Sequence, residues 1–163
     1  MPEIIIVTLT LLLATYYFSI QKHINALEQI YIALICSFIF SCYISIFSDD
    51  LHWMKVNKHH HNVFKVVEII DKTLVALLFI SFLAGKAKST SNFIWSFLGY
   101  LSVLNMLDGM TFFLQVVSFK KGWIIWANLL HAATFFFLLY VKKKYRQVLI
   151  KEGVVKHEST TPT

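Results

Sequence analysis

Hydrophobic and polar positions alternate along the chain in long blocks, giving five apolar runs at residues 4–20, 28–47, 63–84, 92–118 and 123–141, separated by short polar breaks. A helix rises ~1.5 Å per residue and the hydrocarbon core of a bilayer is ~30 Å thick, so runs of this length predict membrane-crossing helices. The expected fold is all-α, a polytopic membrane helix bundle of about five transmembrane helices. It forms one bundle over residues 1–152, with a disordered polar tail over 153–163. The third run is the exception to a clean pattern, because Glu68, Asp71 and Lys72 interrupt it. It needs its charged turns to reach across, and the alternative is an interfacial or re-entrant segment.

Polar positions inside the fourth and fifth runs carry the most specific information. Asn105 and Asp108 lie deep in the fourth run. A carboxylate at bilayer depth costs roughly 2.5 to 3.5 kcal/mol on insertion scales, so it is expected to face the bundle interior and find a partner. The fifth run supplies Asn128, His131 and Thr134 at three-residue intervals, close to one helical face. Only Phe119 to Gly122 separates the two runs, a break short enough to force an antiparallel hairpin. Symmetric folding of that hairpin levels Asn105 with Thr134, Asp108 with His131 and Thr111 with Asn128. On an ideal helix Asn105, Thr111 and Gln115 fall within about 60° of Asp108, which predicts one polar stripe facing the fifth helix. Glu68 and Lys72 have the four-residue spacing of an intrahelical ion pair, leaving Asp71 to seek a partner. The candidate intramembrane site is therefore Asn105, Asp108, Thr111, Gln115, Asn128, His131 and Thr134. Glu68, Asp71 and Lys72 enter as charges at its outer mouth, and the whole is expected to form a polar cleft open outward.

Other patterns are weaker. In the second run Ala33, Ser37, Ser41 and Ser45 recur every fourth residue, a small-residue face expected to pack against another helix of the bundle. The hydrophilic connection from Ser48 to Asn62 holds His52, His59, His60 and His61 as candidate metal ligands. Their spacing matches no closed zinc motif, and adjacent histidines on one element diverge. The sequence contains no glycine-rich phosphate loop, nucleophile elbow or paired-cysteine motif. Asn128, His131 and Thr134 include no nucleophile activated by the histidine, and a haem on His131 would need a second intramembrane histidine. No cofactor is expected, and these positions assign no catalytic residue.

Composition agrees with the membrane reading. Hydrophobic residues make up 57% of the chain, charged residues 15%, and mean hydropathy is +0.64, outside the range of ordinary soluble domains. The net charge of +6 does not point to nucleic acid, because Lys142, Lys143, Lys144 and Arg146 directly follow an apolar run. That position anchors a helix at an anionic cytoplasmic leaflet, and residues 142–150 can continue the fifth helix as far as Gly153. With five spans and a cytoplasmic C terminus, Lys22, Lys86, Lys88, Lys142, Lys143, Lys144, Arg146, Lys151 and Lys156 are inside. Lys55, Lys58, Lys65, Lys120 and Lys121 are outside, and nine against five favours this orientation in a cell membrane.

The size of the chain, its five apolar runs, the acidic Asp108 inside the fourth and the Gly122–Trp123 pair opening the fifth give it a resemblance. It resembles small uncharacterised five-span membrane proteins of spore-forming Gram-positive bacteria. The resemblance implies a setting in a cell membrane but no substrate, cofactor or catalytic residue. Three function classes follow from the residues. The first is a non-enzymatic component that binds or assembles with another membrane protein or a second copy of itself, in contact with the lipid bilayer. The second is a carrier or sensor of a small cation or proton, using Asp108 and His131. The third is an intramembrane enzyme acting on a lipid or quinone.

Overall fold

The run most interrupted by charge becomes the helix around which the others pack. The computed structural model describes residues 2–20, 24–57, 61–86 and 90–154. Its helices are α1 (Pro2–Ser19), α2 (Ala26–Ser45), α3 (His61–Lys86), α4 (Thr90–Phe113) and α5 (Trp123–Lys151). The charged helix α3 contacts α1, α2, α4 and α5. Its central position has a physical cause: unpaired charge is most costly against lipid, so the helix carrying most of it gains most from shielding on several sides. Among the described residues three helical segments are long and apolar enough to cross a membrane: Ala26–Asp50, Thr90–Phe113 and Trp123–Lys151.

Local sequence fixes the helix ends. Asn25 and Glu28 form a capping box at the start of α2: the Asn25 side chain accepts from the Leu27 N–H at 3.2 Å, and Glu28 Oε2 accepts from the Asn25 N–H at 3.2 Å. The end of α1 is tied to the same point, since Tyr17 Oη donates to Gln29 Oε1 at 2.7 Å. Beyond Ser45 the second helix runs on through a π-helical turn, Ile46–Asp50, and ends where His52 takes a left-handed φ of 51°. At the other end of the chain α5 extends past residue 141 to Lys151, and Gly153 follows at a φ of 72°.

Two expectations are corrected here. The fourth run does not stay helical to residue 118: α4 stops at Phe113, Gln115 adopts a φ of 57°, and Val117–Phe119 forms a strand, β2. Its partner is β1 (Met54–Val56), paired antiparallel with Met54 opposite Phe119 and Val56 opposite Val117. Val116 and Val117 are β-branched and suit an extended backbone, and both are buried under this cap. The small-residue face of α2 also turns differently. Ala33 and Ser37 are half-buried, and Ser37 Oγ lies 3.5 Å from Thr73 Oγ1 on α3, but Ser41 and Ser45 are exposed. The face that α2 buries is instead Ile32, Cys36, Phe40, Tyr43 and Ile44, because large side chains fill more of the gap to α3 and α5.

Buried apolar side chains form two separate cores. One gathers Ile32, Cys36, Phe40, Val75, Ile80, Tyr100, Leu104, Phe135 and Leu138. The other, under the β1–β2 cap, gathers Tyr43, Phe47, Met54, Phe64, Val67, Val116, Val117, Trp123 and Ala127. Along the chain the polar residues of interest fall between the two: Lys72 between Val67 and Val75 on α3, His131 between Ala127 and Phe135 on α5, and Asp108 between Leu104 on α4 and Val116 just beyond its end.

Candidate functional site

The layer between the two cores is a network of buried charge built from four helices. Glu68 and Lys72 lie one turn apart on α3, and their ion pair closes at 2.8 Å. From α4, Asp108 places Oδ1 at 2.9 Å from the same Lys72 ammonium. From α5, His131 brings Nε2 to 3.6 Å from Asp108 Oδ2, beyond hydrogen-bond length. From α2, the Tyr43 ring lies 4.6 Å from Lys72 Nζ and 5.4 Å from the His131 ring. Lys72 is 1% exposed and His131 0%, and Glu68 and Asp108 are also buried.

Lysine thus bridges two carboxylates, and this pairing limits what each charge costs inside the bundle. With the lysine charged, both carboxylates ionised and the imidazole neutral, the layer carries one net negative charge. Several polar atoms in it remain without a hydrogen-bond partner: Asp108 Oδ2, both ring nitrogens of His131 and the Tyr43 hydroxyl. Orphaned buried groups of this kind are uncommon in stable packing; Glu28 Oε1, Asp71 Oδ1, Ser96 Oγ and Tyr100 Oη share the lack elsewhere in the bundle, whereas here an acceptor and a ring nitrogen face each other.

A clamp does exist beside it. Asn105 Nδ2 donates to Asn128 Oδ1 at 2.7 Å, and Asn128 Nδ2 donates back to Asn105 Oδ1 at 3.1 Å. Each amide also donates to its own preceding helical turn, Asn105 to the Leu101 carbonyl and Asn128 to that of Ile124, both at 2.8 Å. This pair is half-buried, between α4 and α5.

The structure brings together Asp108 and His131 as the hairpin register expects, but alters the rest of that register. Asn105 bonds Asn128 rather than levelling with Thr134, and Thr111 donates to the Asp108 carbonyl at 2.9 Å on its own helix rather than meeting Asn128. Thr134 is buried on α5. Gln115 leaves the polar stripe altogether, because the helix has already ended; it is exposed and lines a cavity of about 570 Å³ with Lys55 and Ser118. Nor do Glu68 and Lys72 stand at an open mouth: both are enclosed with Asp108. Asp71 is buried on another face of α3, near Thr10 of α1, with Oδ1 unpartnered. A cavity of about 330 Å³ does reach Asp108, walled by Asn105, Gly109, Phe112, Phe119 and Trp123 with Lys120 among its lining.

Sequence reasoning missed Tyr43 and the Lys72–Asp108 bridge. The intrahelical Glu68–Lys72 spacing is visible in the sequence, whereas the bridge depends on how α3 is rotated against α4. Of the candidate metal ligands, His52 places Nδ1 3.1 Å from the Ser48 carbonyl oxygen, and His61 opens α3. His59 and His60 lie outside the described residues. Among the described residues no cluster of three histidine, cysteine or acidic side chains could hold a metal ion. No protein-family model, curated protein or solved structure matches the chain.

Proposed function

We propose that the protein is a five-span membrane protein, N terminus outside and C terminus cytoplasmic, that carries or senses a small cation or proton at the Glu68–Lys72–Asp108–His131 layer. The observation that carries this reading is the 3.6 Å gap between Asp108 and His131, across which buried acceptor and ring nitrogen both lack partners. A layer serving only to hold helices would be expected to satisfy its own polar atoms. Uptake of one positive charge would bring the layer to neutrality in a medium where net charge is costly. The cavity leading to Asp108 gives such an ion a route. The apolar helices among the described residues support a membrane setting for this activity.

The test is a pH titration of the purified full chain, following the infrared carboxyl stretch, with acid-driven flux measured in liposomes alongside. Asp108→Asn should remove one titrating carboxyl and any flux. Identical titrations of the variant and the parent would refute the proposal.

A second reading, a non-enzymatic component that assembles with another membrane protein, draws on Ser41 and Ser45. They are small, exposed residues on α2, and small residues let a further helix approach closely. A stoichiometric copurifying partner, lost in Ser41→Leu, would favour it.

A further inference from the structure

Resting on the reading that the layer exchanges a small cation, we infer that its ligand is a proton, because Lys72 occupies the position a free metal cation would take. The ammonium lies 2.8 Å from Glu68 Oε1 and 2.9 Å from Asp108 Oδ1, with the Tyr43 ring 4.6 Å from it. Two carboxylate oxygens and an aromatic ring are part of what sodium, potassium or an alkylammonium ion requires of a site. A tethered ammonium meets the same requirement without losing translational freedom, so it outcompetes a free ion of equal intrinsic affinity. Displacing it would leave a bare ammonium on a side chain that is 1% exposed.

A proton needs no such displacement. The groups facing Lys72 are Tyr43 from α2, Glu68 on α3 itself and Asp108 from α4, with His131 of α5 against Asp108. The remaining neighbour, α1, meets α3 near Asp71 and Thr10 on a different face. With Lys72 charged, Glu68 and Asp108 ionised and His131 neutral, this set is one proton short of neutrality, and Asp108 Oδ2 and the ring nitrogens of His131 carry no hydrogen bond that would exclude it. Lys72 then acts as a fixed internal counter-ion, and the site responds to acidity but not to the choice of salt cation.

Thermal unfolding of the full chain in detergent, measured across pH in sodium, potassium and choline chloride at equal ionic strength, tests this. The wild-type pH response should have the same midpoint in all three salts. Lys72→Ala vacates the cation position, so its stability should become dependent on added methylammonium, while Lys72→Arg should remain indifferent to it. A wild-type midpoint that moves about tenfold in proton concentration between sodium and choline would show metal cations competing, and would overturn the assignment while leaving cation exchange standing. Indifference of folded Lys72→Ala to methylammonium, sodium and potassium alike would overturn it as well. Wild-type stability that ignores pH would defeat the exchange reading itself and the proton assignment with it. The wild-type salt comparison decides the matter even if Lys72→Ala does not fold.

Discussion

Lys72 is the residue on which the buried layer depends, because it is shared. Its ammonium satisfies a carboxylate on its own helix and another on α4, so removing it strands two negative charges at once. Breaking a buried ion pair by deleting one partner typically costs about 3–5 kcal/mol. Lys72→Met should therefore destabilise the protein by at least that amount in detergent unfolding, and adding Glu68→Gln to Lys72→Met should recover part of the loss. A double variant no more stable than Lys72→Met would show that the two carboxylates do not share the lysine. Half of this arrangement is legible in the sequence, since a glutamate four residues before a lysine reads as an intrahelical pair on any helix. The half that matters for Asp108 is not, because it requires α3 and α4 to meet at one rotation and one depth. Hydropathy reports neither. Asp108 and His131 come together at 3.6 Å, but the closer approach of Lys72, at 2.9 Å, is not visible in the sequence for the same reason.

At the scale of elements, the α4–α5 hairpin makes two crossing contacts rather than level ones. Asp108 meets His131 and Asn105 meets Asn128, so the later residue of α4 meets the later residue of α5, the reverse of the order that level contacts take in an antiparallel pair. The two contacts use neighbouring faces of each helix, so the amide pair sits half-buried beside the enclosed charge layer. Its job is mechanical. Interhelical hydrogen bonds in membrane proteins contribute on the order of 0.6 to 2 kcal/mol. A double-mutant cycle on Asn105→Leu and Asn128→Leu should return a coupling energy in that range, with the infrared proton titration of Asp108 unchanged. A coupling near zero would mean that the amides are satisfied by their own helical turns alone. The short break between the fourth and fifth runs makes the hairpin legible, but not the end of α4. Val116 and Val117 are as apolar as the helix before them, and a short apolar stretch does not distinguish a helix end from a buried strand. The β1–β2 cap, and with it the removal of Gln115 from the stripe, becomes visible only once Met54–Val56 is paired with Val117–Phe119.

At the scale of the whole molecule the two ends of the bundle are chemically different, and the difference bears on orientation. One end is closed by the β1–β2 cap and an aromatic cluster in which Phe119 stacks on Trp123 at 4.7 Å and Trp53 lies 6.0 Å from Trp126. Tryptophan at this depth suits a membrane–water interface. The other end carries the basic extension of α5, which is docked rather than free: Tyr145 stacks on Tyr31 of α2 at 4.1 Å, and Arg146 Nε lies 4.0 Å from Glu28 Oε1. Lys143, Lys144 and Lys151 remain exposed along it. In the proposed orientation the α5 extension is inside and the β1–β2 cap outside, in keeping with the retention of positive charge on the cytoplasmic side. Asn57, exposed just after β1, and Glu152, exposed at the end of α5, report the two sides directly. In intact cells a membrane-impermeant thiol reagent should label Asn57→Cys and not Glu152→Cys, with both labelled after permeabilisation. Labelling of Glu152→Cys alone would invert the protein in the membrane. The cavity lined by Asp108, Phe119 and Trp123 beside the β1–β2 cap would then face the cytoplasm. Labelling of both positions in intact cells would place the two ends on one side, and α3, which lies between them, would have to be re-entrant instead of spanning.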